Sequence, residues 1–490
     1  VLCLMSVLAL VHLQQAQTTS RIVFQNITVI DVGEGEARPG MTVVLSGNRI
    51  ASVGKTSEIP KGSQVVDGSG KFMLPGLWDM HSHSLDRWAW SSLLNIANGV
   101  TGFRDPAAIL DPAEIVKLRE DIEHGKVFGP RFIASGRIID GSPSSRRTYV
   151  TINTPDEMRA EVGRRKIAGL DFVKIYTRLS RDAFAAAAAE SKRLDIPLDG
   201  HVPLSLTAAE ASDAGMRSVE HSYRHRMACA TAETELRKLL LKQIDLRSDD
   251  PRIYWSNEDK AFLLGLNTYS SEKCVELGKK FARNGTWFVP TLVEMQTRFR
   301  NEYFGEDSFE ERFKDPRLRY VSPAKRTAWR EDMIWDVGFL NGHMSYGSRG
   351  PETMEKERER EFANRIKMPA DLHRGGARVL AGTDVDSSFA FLFFGFSLHD
   401  ELELLVKGGL SPLEALRAAT INPAVFLKRE KDLGTVEAGK LADLVLLDAS
   451  PLEDIRNTKK INAVVANGKY LPKNELEKLL NAAEEIVKKL

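Results

Sequence analysis

Six side chains far apart in this chain are of types that can hold a divalent cation. His81 and His83 close the run LWDMHSH, His201 closes IPLDGH, His221 closes SVEH, Asp384 closes VLAGTD, and Lys174 lies within FVKIY. Alternate side chains of a strand share a face, so both imidazoles of His81-Ser82-His83 can turn toward one ion. A His-x-His pair among ten histidines says little alone. Its meaning comes from the elements that would position it.

Those elements alternate. Leu77 to His81, Gly99 to Asp105, Arg131 to Ile139, Phe172 to Tyr176, Ile196 to His201, Ser218 to His221, Trp287 to Leu292 and Val379 to Asp384 read as strands rich in β-formers. Helical stretches lie between most of them, among them Ala113 to His124, Arg181 to Leu194, Thr207 to Ala214 and Ser271 to Asn284. Eight such repeats predict an α/β fold of the (β/α)8 TIM-like barrel type over 75–433, with no glycine-rich dinucleotide fingerprint after the first strand. Barrel sites assemble where several strands end, and the six candidate ligands sit at or near the ends of strands one, four, five, six and eight. Before the barrel, 21–74 carries short β-formers between turns; after it, 434–472 does the same, with Asn467-Gly468 as a hairpin signal. Neither segment buries enough alone, so the two are expected to combine in one small β-sandwich. A helical insertion at about 293–378, rich in aromatic residues and charges, is read as a lid, and 473–490 as a docked C-terminal helix.

The constellation resembles the amidohydrolase superfamily, in its imidazolonepropionase-related branch, which includes prolidase-like and carboxypeptidase-like dipeptidases and ochratoxin-hydrolysing amidases. The most specific stretches are LPGLWDMHSH (74–83) and the run SPLEALRAATINPAVFL followed by LGTVEAGKLADLVLLD. The resemblance implies two divalent metal ions, usually zinc, bridged by a carboxylated lysine. His81, His83 and Asp384 would hold one, His201 and His221 the other, and Lys174 would bridge. It implies attack by a metal-bridging hydroxide on an amide or dipeptide bond, with a dipeptide or N-acyl amino acid as substrate.

The residues support that chemistry on their own terms. Burial and nearby cations lower a lysine's pKa, and the neutral amine can add carbon dioxide to become an anionic carbamate. Metals lower the pKa of water and polarise a carbonyl, and Asp384 is placed to move a proton from nucleophile to leaving amine. Tyr176, Arg178 and Arg224 follow the candidate ligands closely and can hold a substrate carboxylate; His343 and His399 are further candidate contacts. Arg178 departs from the small residues the resemblance leads one to expect there. Two other readings stay open: a cyclic amide or lactone hydrolase with the same metals, and a metal-bearing binding protein without turnover.

Composition sets outer limits. Hydrophobic residues at 42% and charged residues at 28% of 490 are ordinary globular values, and a net charge of +1 gives no electrostatic reason to expect a nucleic-acid partner. A small-molecule substrate is the expected partner, and a homo-oligomer is compatible. VLCLMSVLALVHL at 1–13 suits the apolar core of a secretory signal within 1–20, so a secreted or periplasmic protein is expected, and no later stretch is suited to a stable membrane span. Of the three cysteines, Cys229 and Cys274 are the candidates for pairing in an oxidising compartment, and the expectation is that they do not pair.

Overall fold

The computed structural model describes residues 21–55, 58–221, 227–245, 251–303, 310–331, 351–386 and 390–490, which form a mixed α/β fold. The two chain ends share one sheet. Strands β1 (Ile22–Asp31), β2 (Glu36–Ser46), β3 (Arg49–Gly54), β4 (Gln64–Asp67) and β5 (Phe72–Pro75) come from the first segment. The β-formers before and after Asn26 join into one strand, β1, with an irregularity in its pairing where Asn26 takes a φ of 57°.

The parallel region follows: β6 (Leu77–Asp79), β7 (Val100–Asp105), β8 (Arg131–Ala134), β9 (Ile139–Gly141), β10 (Val150–Ile152), β11 (Val173–Ile175), β12 (Leu198–Gly200), β13 (Ser218–Glu220), β14 (Trp287–Val289) and β15 (Arg378–Val379). Its hydrogen-bonded order is β6-β7-β8 in one sheet and β10-β9-β11-β12-β13-β14-β15 in another. Beyond these ladders, Met80 N donates to Ala381 O at 2.8 Å, Asp384 N to His81 O at 2.7 Å, and Asp171 N to Ala134 O at 3.0 Å. The end of β6 is thus tied to the segment after β15, and β8 to the segment ahead of β11. The expected third strand, Arg131 to Ile139, is interrupted: Gly136 takes a φ of 68°, and the chain re-enters the sheet as β9. The expected eighth strand is a ladder only over Arg378–Val379, continued by single hydrogen bonds from Leu380 to Phe288 and from Thr383 to His81.

Helices begin where a side chain can replace the missing intrahelical acceptor. Ser180 accepts from Ala183 N ahead of the helix Arg181–Leu194, Ser270 from Lys273 N ahead of Ser271–Asn284, and Thr207 and Glu210 close a capping box. The inserted region contains the helices Leu292–Tyr303 and Pro351–Arg374, the short 3-10 helix Pro316–Tyr320, and a helix at 323–331. The C-terminal helix is Lys473–Val487. No helix among the described residues is long and apolar enough to cross a membrane.

The C-terminal strands β16 (Leu444–Leu447), β17 (Ile461–Ala466) and β18 (Lys469–Pro472) extend the first sheet, because β16 runs antiparallel to β5 with Leu446 opposite Met73. The result is one eight-stranded sheet, not two separately bonded layers. Ile22, Phe24, Val43 and Leu45 share a buried cluster with Leu444, Leu446, Ala463 and Val465, so strands distant in the bonding order meet over a common core. The opposite face presents Leu74 and Val445 to Leu77, Leu94 and Val100 of the parallel region. Contact there is tight: a Cβ on Gly99, whose φ is 72°, would lie 2.8 Å from Val445 Cγ2.

One expectation is corrected outright. Cys229 and Cys274 form a disulfide, with Cα atoms 4.8 Å apart and both residues buried. The helix Ser271–Asn284 carries Cys274 back beneath the segment that follows β13, a proximity created by the packing of helices between β13 and β14.

A buried ion pair fastens the terminal sheet to the parallel region. Arg131, at the start of β8, donates from Nε to Asp443 Oδ2 at 2.7 Å and from Nη2 to Asn467 Oδ1 at 2.8 Å. Glu123 also contacts the Arg131 guanidinium, so Asp443→Ala leaves the buried charge one remaining acid and is expected to cost about 2 kcal/mol of unfolding free energy. Urea denaturation followed by circular dichroism checks this; an unchanged midpoint would show that the pair does not fasten the two parts.

Candidate metal centre

Each candidate ligand is delivered by the end of a parallel strand. His81 and His83 follow β6, and both rings turn to one carboxylate: His81 Nε2 lies 3.1 Å and His83 Nε2 2.8 Å from Asp384 Oδ1. His201 follows β12 and His221 follows β13. The His81 and His221 ring centres are 4.6 Å apart, as are those of His201 and His221. Lys174 lies in β11 opposite Asp199 of β12, fully buried. All six residues therefore converge on one buried region.

Local backbone geometry makes this convergence possible. Gly200 takes a φ of 132°, and a Cβ there would fall 2.3 Å from Ile175 O and 3.0 Å from Lys174 Cδ, so the lysine stem passes where any other residue would stand. His221 and Asp384 take φ values of 66° and 56°, a left-handed conformation that side chains other than glycine rarely adopt. Strained backbone of this kind concentrates at sites where surrounding structure fixes it. Threonines orient two rings: Thr177 Oγ1 is 3.2 Å from His201 Nδ1, and Thr291 Oγ1 is 2.9 Å from His221 Nδ1. With those nitrogens engaged, Nε2 of each ring faces the site.

Two acids and an arginine complete the interior. Glu220 contacts Lys174 Nζ through Oε2 and accepts from Arg104 Nη2 through Oε1 at 2.5 Å. Arg104, wholly buried in β7, also donates to Met80 O at 2.6 Å, Asp199 Oδ2 at 3.0 Å and Ser218 Oγ at 3.0 Å. Asp79 accepts from His81 N and Thr383 N, both at 3.1 Å, and from Thr383 Oγ1 at 2.6 Å, which clamps the end of β6 to the segment carrying Asp384. Burial pushes the Asp79 carboxyl up to about 6.

The electrostatics suit cation binding. Burial, then the neighbouring Lys174, holds His81 down at about 3, and burial holds His221 well below the usual histidine value, so both rings are shifted toward the neutral form that can ligate a cation. Burial, then the Arg104 guanidinium, lowers the Lys174 amine well below its usual range. Burial disfavours the Asp384 anion, but the His221 ring beside it and hydrogen bonds from His81 and His83 outweigh this and hold the carboxyl well below its ordinary value.

Two donor sets, His81–His83–Asp384 and His81–Glu220–His221, each bring their ligand atoms within 4.8 Å of one another. His81 Nδ1 is buried without a hydrogen-bond partner; Glu220 Oε2 is 3.2 Å away but out of alignment. Neutral imidazoles, an ionised carboxylate and a buried atom without a partner fit a divalent cation.

The candidate substrate contacts fare differently. Tyr176 lies against His201, ring centres 4.1 Å apart, with the edge of Tyr149 5.1 Å beyond it. Arg178 turns away to the Pro143 carbonyl at 2.7 Å. His399 is not brought to the site: its Nε2 bonds the Asn98 carbonyl at 3.0 Å, at the end of a helix preceding β7, because the helix Phe396–Lys407 points it there. Arg224 and His343 lie outside the described residues. Sequence reasoning missed Glu220, Arg104, Asp79 and Tyr149. The signal for Arg104 was present, since a charged residue inside an apolar strand needs a buried partner.

Residues 340–471 match the model of the amidohydrolase family. An imidazolonepropionase of Rubrobacter xylanophilus is 26% identical over 90% of this chain and 93% of its own length. An adenine deaminase of Cenarchaeum symbiosum is 27% identical over 32% of this chain, a match spanning 26% of that relative. Among solved structures, the bottromycin amidohydrolase superposes with a TM-score of 0.71 at 21% identity, covering 95% of this chain and 90% of that one. A Xaa-Pro dipeptidase does so at 0.60 and 19%, covering 92% and 100%. Residues 340–471 are thus similar in sequence to the amidohydrolase family, and nearly the whole chain shares the fold of these solved structures.

Proposed function

We propose that this protein is a binuclear metal-dependent hydrolase of C–N bonds that cleaves an amide or dipeptide bond, with a dipeptide or N-acyl amino acid as substrate. Hydrolysis of a C–N bond follows from the family; the finer reading rests on one observation, the convergence of a buried, charge-depleted Lys174 with four histidines and Asp384. We take the two parallel sheets, tied edge to edge through Met80 and Ala381, as one (β/α)8 barrel, and the terminal sheet wrapped on its own core as the small sandwich.

His81, His83 and Asp384 would hold one zinc ion, His201 and His221 the other, and a carboxylated Lys174 would bridge them. Bound there, the metals would supply Lewis acidity, lowering the pKa of water and polarising the scissile carbonyl. The chain's residues do the rest. Burial and Arg104 shift the Lys174 amine toward the neutral form, which is the one that adds carbon dioxide. Thr177 and Thr291 hold the rings of His201 and His221 in one orientation. Asp384 Oδ1 accepts the proton of the attacking water and returns it to the leaving nitrogen. Tyr176 lines the wall beside His201.

A second reading, hydrolysis of a cyclic amide at the same centre, draws on the match to an imidazolonepropionase along most of the chain, an imidazolone being a ring amide. Export is supported by the apolar N-terminal run and by the Cys229–Cys274 disulfide, a bond that persists in oxidising compartments.

Asp384→Asn is expected to retain part of its metal, by elemental analysis, and to lose about 10³-fold in turnover on a panel of dipeptides and N-acyl amino acids. Near-normal turnover would remove Asp384 from proton transfer. Lys174→Ala is expected to lose activity and recover part of it in the presence of short carboxylates such as propionate. Full activity without any addition would exclude the bridging role. Cyclic amides hydrolysed in preference to every open-chain substrate would select the second reading.

A further inference from the structure

Two positions past Asp384, Asp386 gathers two cations. Its carboxylate meets Arg87 Nε at 3.0 Å and also contacts Lys325 Nζ. Arg87 ends the 3-10 helix Leu85–Arg87, just after His83; Lys325 comes from the helix at 323–331 within the insertion. The three parts are firmly set. Backbone pairing of Ser82 with Val385 joins the two loops that carry His83 and Asp384. Leu318, Val321 and Trp329 of the insertion pack with Phe391 and Phe393 of the segment following Asp386.

Among the described residues, Asp386 is the one carboxylate paired with these two cations. Asp86, the next acid along, spends its own carboxylate on Ile109 N at 2.9 Å, and the Trp329 ring, 5.7 Å from Lys325 Nζ, brings no full charge. The carboxylate is nearly buried, with 10% of its side chain exposed, whereas Lys325 keeps 33% and Arg87 45%, so both cations remain open to a ligand. Burial, then the charge of Arg87, lowers Lys325 to about 8.

We propose that Arg87 and Lys325, held together by Asp386, form a carboxylate-binding subsite at the mouth of the metal centre and select substrates bearing a free carboxylate. The inference rests on the hydrolase reading and narrows it: the insertion contributes a specificity residue, and neutral amides are poor substrates. An arginine and a lysine side by side provide both forked and point-charge hydrogen bonding to a carboxylate.

The test separates binding from hydrolysis. The probe is 3-benzoylpropionate, in which a methylene replaces the scissile nitrogen of an N-acyl glycine, compared with its carboxamide by calorimetry on the metal-loaded full chain. Wild type is expected to bind the acid about tenfold tighter than the amide, as charged hydrogen bonds imply. Lys325→Met and Arg87→Met should each reduce that ratio toward unity, and Lys325→Arg should restore it, with metal content unchanged throughout. A wild type without preference, or variants that keep the full ratio, overturns the subsite. Should Lys325→Met fail to fold, Arg87→Met, altering a half-exposed side chain, decides the question. An intact acid preference with no hydrolysis of any dipeptide or N-acyl amino acid would sink the proposed function and leave the subsite standing.

Discussion

The interior of this protein is organised around one buried positive charge. The Arg104 guanidinium bonds the Met80 carbonyl, Asp199, Ser218 and Glu220, and so touches the ends of β6, β12 and β13 from its own place in β7. Phe172 and Phe426 pack within 5.3 and 5.4 Å of it. A guanidinium away from water is tolerable only when its donors are matched, and here four separate acceptors match them. The strands that deliver the ligands are thereby held at fixed heights relative to one another, directly beneath the histidines.

The same charge sets the chemical state of the site. Arg104 is the nearest cation to compete with an ammonium on Lys174, while Glu220 mediates between the two. Asp199 is shared with Arg217, so the layer below the site is a small lattice of alternating charges rather than a single pair. Above this layer, burial holds His81 and His221 toward the neutral form, while Asp384 is held toward the ionised one.

Much of this was legible in the sequence, for identifiable reasons. The helices Arg181–Leu194 and Ser271–Asn284 were bounded correctly because Ser180 and Ser270 cap them. The ligands stood out because each ends or occupies a short apolar strand. Glu220 was hidden by parity: an extended chain would turn it away from a site that receives His221, but the left-handed φ of His221 breaks the alternation and lets both face inward. His399 misled because closeness in sequence to the eighth strand was taken for closeness in space. The disulfide was out of reach, since nothing in the spacing of Cys229 and Cys274 tells how the helices between β13 and β14 pack.

The sheet shared by the two chain ends has a consequence for how the molecule comes into being. β5, which leads directly into the strand bearing His81, is paired along one edge by β16, one of the last elements to be synthesised. Contacts this distant along the polymer close slowly, because loop entropy must be overcome before they stabilise anything. Until β16 leaves the ribosome, β5 lacks this neighbour, and a nascent chain would expose an apolar sheet edge. Assembly of the ligand cluster therefore waits on β16, a strand made long after those that deliver the histidines.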